Sequence, residues 1–258
     1  FARNVSAPRS LWIEEDWAKK FLKAGELASR LGLRAVSPLL SAYDDPALER
    51  WEDVPLAGRY RVDDQGIPAS RVILAEKGIL KEVYMSRSPI KERRQSNGHG
   101  RAGSGEIVVA RPGVLIVKAE ESIEAARLKA ELLKRARDFG LEYGVVIRRL
   151  AEETEKEDAA ALAAPVLAYK VFVDDGREEP VRNVQFSDVT LRALRDVVGA
   201  SRETFVHNHR NWGPYIYARS WVPATLVCPS VLVSELELKK TDKKPEKPPY
   251  LPHPHFAR

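Results

Sequence analysis

Two Asp-Asp pairs limit what residues 43–80 can become. Asp44-Asp45 stands between Tyr43 and Pro46, and Asp63-Asp64 is followed by Gln65-Gly66-Ile67-Pro68. Asp bonds its own backbone in turns, proline fixes φ, and glycine supplies φ > 0, so each cluster punctuates the chain between apolar runs. The next runs, Arg71 to Leu74 and Ile79 to Met85, read as a β-hairpin around Glu76-Lys77-Gly78, with glycine at the φ > 0 position. Asp44, Asp45, Asp63 and Asp64 are therefore read as turn residues. Binding of a cation such as calcium is the other use four such carboxylates could have.

Beyond this segment, strand signals outnumber helical ones. Residues 11–31 carry Trp17, Phe21, Leu22, Leu27 and Leu31 before Gly32, an amphipathic helix with a glycine stop. Glu121 to Phe139 repeats that pattern and stops at Gly140. Ser86 to Glu106 is polar and Gly-rich toward its end, and is expected to be a flexible loop. Ile107 to Ala110 and Val114 to Lys118 flank Arg111-Pro112-Gly113 as strand, turn and strand. Tyr143 to Leu150 reads as a buried strand, followed by an acidic, Ala-rich surface stretch over 151–164. Val166 to Val173, Asp174-Asp175-Gly176 and Glu179 to Phe186 form the clearest hairpin. Asp188 is placed to cap a short helix carrying Leu191, Leu194, Val197 and Val198, ended by Gly199. Residues 204–238 alternate apolar and polar. The fold class expected is α+β, a predominantly antiparallel β-sheet domain with a few amphipathic helices. Its parts are an N-terminal helical segment (1–42), a β-rich domain (43–238) and an extended Lys/Pro-rich tail (239–258).

Composition closes several alternatives. With 258 residues, 44% of them hydrophobic and 31% charged, the chain can bury a sizeable core and reads as a soluble globular protein. No apolar run approaches the roughly 20 residues that cross a bilayer, so no membrane is expected. The net charge of +5 leans on residues 239–247, which hold five lysines against two acids. The body is thus close to neutral, and no nucleic-acid partner is expected. The single cysteine, Cys228, excludes an internal disulfide framework and a Cys-rich zinc knuckle. The chain begins Phe1-Ala2-Arg3-Asn4, without an initiator Met or signal pattern, and is expected to be a fragment or a processed product.

The order of these elements resembles the TldD/PmbA family of zinc metallopeptidases, in their C-terminal, mostly β half. The likeness rests on Tyr43-Asp44-Asp45-Pro46, Asp63-Asp64-Gln65-Gly66-Ile67-Pro68, the Gly78-Ile79-Leu80 return strand and the Gly-rich loop 97–105 before Ile107 to Gly113. It continues through the helix and strand of 121–150, Tyr169 to Val184, and Pro223-Ala224-Thr225-Leu226 with Pro229-Ser230-Val231-Leu232. The resemblance implies peptide hydrolysis by a zinc-activated water, zinc as cofactor, a homo- or hetero-dimer with a TldD/PmbA-like chain, and a cytoplasmic setting. It also implies a substrate held by its backbone along a strand edge.

One departure governs the site. The family's first two zinc ligands and general base come from a His-Glu-x-x-x-His helix, and no histidine here precedes His99. No catalytic residue is therefore assigned, and the zinc must be shared with a missing segment or a partner chain; the alternatives are a non-catalytic PmbA-like partner subunit that shapes a peptidase chamber, or a metal-free structural β-protein. The family's third ligand is a late cysteine. Cys228 falls inside the closing strand, and the ligand position lands near Thr204 to His209. Spaced i, i+2 on an extended chain, His207 and His209 point the same way, so they are the candidate metal ligands; surface histidines are the alternative. Read as a nuclease motif, His-Asn-His lacks acidic partners. Asn97, Gly98, His99, Gly100 and Arg101 are the candidate substrate-binding loop.

Cys228 is read as a buried small hydrophobe, and Trp212, Tyr215, Tyr217 and Trp221 as one face of a sheet. His253 and His255 could chelate metal weakly or belong to a docking tail.

Overall fold

The computed structural model describes residues 5–7, 25, 27–91, 93–151, 163–187, 189, 191–212 and 221–241. The sequence-predicted helix over 11–31 lies mostly outside that range, with one 3₁₀ turn at Ala28–Arg30 inside it. The 152–162 stretch, the Asp188 cap, Tyr215, Tyr217, His253 and His255 also lie outside it.

A six-stranded sheet organises the chain. It is built from β1 (Leu40–Asp44), β4 (Val72–Glu76), β5 (Ile79–Leu80), β8 (Val114–Ala119), β13 (Val197–Trp212) and β14 (Trp221–Val233). Two short hairpin strands, β2 (Arg50–Trp51) and β3 (Val54–Pro55), lie between β1 and β4 in the chain; β6 (Gly100–Arg101) and β7 (Val109–Ala110) form another pair. The order across the sheet is β13-β14-β8-β1-β4-β5. Every neighbour pair is antiparallel except β14 and β8, where Thr225, Leu226 and Val227 run parallel to Val114, Leu115 and Ile116.

Strand alternation assigns the two sheet faces to two cores. Leu40, Ala42 and Leu115 lie in the larger core, with Leu74, Val83, Tyr84 and Met85, while Val117 and Leu226 pack against it. The neighbours one residue away, Val114, Ile116 and Val227, join Leu56 on the other face, where Tyr43, Trp51 and Val206 pack against them. The β2–β3 hairpin thus roofs the second core.

The β4–β5 hairpin forms where the sequence places it. Its two-residue turn puts both Lys77 (φ 45) and Gly78 (φ 80) in the left-handed region, the geometry that matches the right-handed twist of the flanking strands. A Cβ at Gly78 would also stand 2.5 Å from the Val36 carbonyl oxygen, so only glycine fits.

A smaller unit stands between β8 and β13. Helix α1 (Ala125–Asp138) ends before Gly140, which has φ 67. It packs on β9 (Tyr143–Leu150), which pairs with β10 (Pro165–Phe172) and through it with β11 (Glu178–Val181). The helix has no side-chain cap of its own: Glu203 of β13 accepts from the Ala125 amide at 3.1 Å. Most of the described elements are strands, in agreement with the expected α+β class.

Several sequence expectations change. The short helix expected to carry Leu191, Leu194, Val197 and Val198 is only a 3₁₀ turn at Leu191–Leu194, and Val197 opens β13. Arg111-Pro112-Gly113 does not close a hairpin: β7 pairs with β6, and β8 pairs with β1 and β14. The reason is that the Gly113 and Val114 amides are taken by the Asp44 carboxylate. The Tyr143–Leu150 strand exists but is mostly half-buried, with its last three residues exposed. The Glu179–Phe186 run breaks at Asn183 (φ 57), so β12 (Val184–Phe186) pairs instead with β15 (Leu238–Lys240). Strand pairing also runs past both sequence-drawn limits, since β1 begins at Leu40 and β15 ends at Lys240.

Candidate functional site

The Asp-Asp turns part ways in the structure. Asp45 and Asp63 behave as turn residues: Asp45 Oδ1 accepts from Ala47, and Asp63 Oδ1 from Gln65 and Ile67. Asp44 instead is fully buried at the end of β1. Its carboxylate accepts from the Val114 amide (2.9 Å), the Gly113 amide (3.2 Å) and the Tyr84 hydroxyl (2.9 Å), and it meets His99 Nε2 at 3.3 Å.

His99 is fully buried too. Its Nδ1 faces the Asn97 carbonyl (3.0 Å) and Asn97 Oδ1 (3.2 Å). The Asn97 amide is fixed by two backbone contacts, accepting from Met85 N and donating to Val83 O. Both ring nitrogens therefore face acceptors. Tyr60 donates to the Gly98 carbonyl at 2.9 Å and carries the Arg101 guanidinium over its ring at 4.1 Å. Arg101 also reaches Asp64 at 3.2 Å. Burial, and then the Asp44 charge, push the Tyr84 and Tyr60 hydroxyls above the ordinary tyrosine range.

The flexible-loop expectation for residues 97–101 is corrected by this network. Asn97 is half-buried, while Gly98, His99, Gly100 and Arg101 are buried. The segment's polar groups are consumed internally, and Gly100 donates to Asp63. A mobile lid needs backbone groups that water can satisfy when it opens, and this segment has few.

The proposed ligand pair lies elsewhere, on β13, the outer strand of the large sheet. His207 is exposed and His209 half-buried. Their rings stack at 5.3 Å with 6° between planes, the outcome of i, i+2 spacing on a strand. Asn208, between them, points to the opposite face. There it accepts from the Ala57 amide (2.9 Å) and the Thr225 hydroxyl (2.6 Å) and donates to the Pro55 carbonyl (3.0 Å), tying the β2–β3 hairpin to β13. Trp51 Nε1 adds a bond to Thr204 Oγ1 at 3.0 Å. The last turn of the hairpin segment passes so close that a Cβ on Gly58 would lie 2.0 Å from the Gly113 oxygen.

A zinc site takes three protein ligands and a water, or four protein ligands. Among the described residues no group of three His, Cys, Asp or Glu could hold a metal. The pair is thus at most part of a site. Cys228 does not complete it: the thiol sits opposite Phe205 on β14, and burial pushes its pKa up. The sequence brought His207 and His209 forward by spacing, but gave no signal for Asp44, Tyr84 or Asn97 as network members.

The profile of the PmbA/TldA metallopeptidase C-terminal domain matches residues 3–240. No curated protein matches the chain. Solved structures share its fold, two of them as follows. A proposed modulator of a DNA gyrase from Thermotoga maritima has a TM-score of 0.56 at 22% identity, over 83% of this chain and 42% of that one. TldE from Thermococcus kodakarensis has a TM-score of 0.56 at 16% identity, over 82% and 42%. The chain therefore spans less than half the length of these solved relatives. Among the described residues, no helix is long and apolar enough to cross a membrane.

Proposed function

The chain belongs to the PmbA/TldD family of metallopeptidases, and on that premise we propose that it is the peptide-holding C-terminal portion of a zinc metallopeptidase. The zinc-binding helix comes from another chain or from an N-terminal part outside these residues. His207 and His209 complete the zinc, and zinc when bound supplies an activated water for peptide hydrolysis. The protein works as a homo- or hetero-dimer with a TldD/PmbA-like chain in the cytoplasm.

The observation that supports this reading is the coincidence of two features on β13. Two stacked imidazoles lie on it, and it is an outer strand of the sheet. Ile123 meets its outer side at Ala200–Arg202, and the Ser37 hydroxyl donates to the Val197 carbonyl. In this reading an extended peptide pairs with the strand near Thr204 to His207, so that its backbone is held. In this arrangement Asn97, Gly98, His99, Gly100 and Arg101 serve the site from beneath, by fixing β1 and β8, and do not touch the peptide.

The test is zinc analysis and peptide cleavage on the assembly formed with a companion carrying His-Glu-x-x-x-His. His209→Ala should lower bound zinc and cleavage together, with melting temperature unchanged. Unchanged zinc content would remove the ligand assignment. The second reading, a non-catalytic PmbA-like subunit that walls a peptidase chamber, draws on the lack of a three-ligand group among the described residues. A zinc-free chain whose companion cleaves normally when His207 and His209 are both replaced by Ala would favour it.

A further inference from the structure

The two histidines of β13 are not equivalent. Both lie on the sheet face opposite Asn208, and their rings stack with 5.3 Å between centroids and 6° between planes. A metal ion binds an imidazole nitrogen along its lone pair, which lies in the plane of the ring. Two nearly parallel planes, one stacked on the other, do not converge on a point, so in this arrangement one ion takes one ring. The surroundings then separate the two. His209 is half-buried, and its Nδ1 turns back to the His207 carbonyl at 3.4 Å. His207 is exposed, and among the described residues neither of its ring nitrogens has a hydrogen bond. An exposed neutral imidazole with both nitrogens in reach fits a zinc ligand.

Resting on the reading that this pair completes the zinc, we propose a division of work: His207 contacts the ion, and His209 is a positioning residue. An exposed side chain samples several rotamers, and metal binding must select one at a cost in entropy. Stacked against His209, the His207 ring is held near one orientation before the ion arrives. The Nδ1 contact anchors the supporting ring to the backbone of the residue it supports. Outer partners of this kind change metal affinity by about 10–100-fold. A catalytic zinc takes three protein ligands and a water, so one imidazole from β13 leaves two ligands for the segment or chain that brings the rest.

The experiment uses the assembly with a companion carrying His-Glu-x-x-x-His and reads zinc affinity by competition with a chromophoric chelator. Phenylalanine keeps a flat ring for stacking and offers no nitrogen. His207→Phe should weaken zinc by more than about tenfold, His209→Ala by about tenfold, and His209→Phe by less than about twofold. With cobalt in place of zinc, His209→Phe should leave the visible absorption of the metal unaltered, because the atoms that hold the ion are the same. Zinc lost from His209→Phe, or a changed cobalt spectrum, makes His209 a ligand and overturns the proposal alone. So does a His209→Ala protein that binds zinc like the native one while His207→Phe does not. If the native assembly holds no zinc, or if both Phe variants bind it unchanged, the zinc reading itself fails and takes this proposal with it.

Discussion

At the scale of single residues, Asp44 carries the most consequence. It occupies a motif that reads as a turn, and its neighbour Asp45 does make the turn. Its own partners lie 40 to 70 residues away, at Tyr84, His99, Gly113 and Val114. Such a role cannot be read from local spacing, because the donors that define it arrive only when the sheet assembles. Removing the acceptor leaves its buried donors unsatisfied, at about 1–3 kcal/mol for each such group. Asp44→Ala should lose stability on that scale in urea denaturation, and a loss below about 1 kcal/mol would show that the network contributes little. His207 and His209 are the opposite case: spacing on an extended chain predicted that they point the same way, and their stacked rings do.

At the scale of elements, what is local was legible and what is relational was not. The hairpins at Gly78 and Gly176 and the helix stop at Gly140 follow from residues within a few positions of each other, and all three glycines have positive φ. The partner of β8 had no such signal: proline and glycine at Pro112 and Gly113 suggest a turn, yet the strands beside them pair elsewhere. The same holds for the burial of residues 97–101, whose Gly-rich composition reads as a loop. The unit of α1 and β9–β11 is held in part by Glu178, which meets Lys129 at 2.6 Å and Arg148 at 2.8 Å. The Lys129 hydrogen bond leads in drawing its carboxyl below the usual glutamate range. A depressed carboxyl contributes stability that is present above that range and lost as pH falls through it. Native protein should therefore lose more melting temperature than Glu178→Gln between pH 7 and pH 3, and equal slopes would sink the assignment.

At the scale of the whole molecule, the sheet sets two cores back to back and ends on a long outer strand, β13. Alternation along β1, β8 and β14 made both cores foreseeable as apolar positions. Their division between two faces depended on strand order, which no residue pattern states. The parallel pairing of β14 with β8 also sets a timetable for synthesis. About a hundred residues separate the two strands, yet the later one fills the gap beside the earlier, so β8 emerges from the ribosome with one side bare. An uncovered strand of Val-Leu-Ile-Val is a template for any other chain it meets. A chain stopped at Asp196 should accordingly sediment as aggregate where the full chain stays dispersed, and a soluble, cooperatively melting truncation would contradict this. A sheet whose middle strand waits for a late neighbour must be guarded from company until that neighbour arrives.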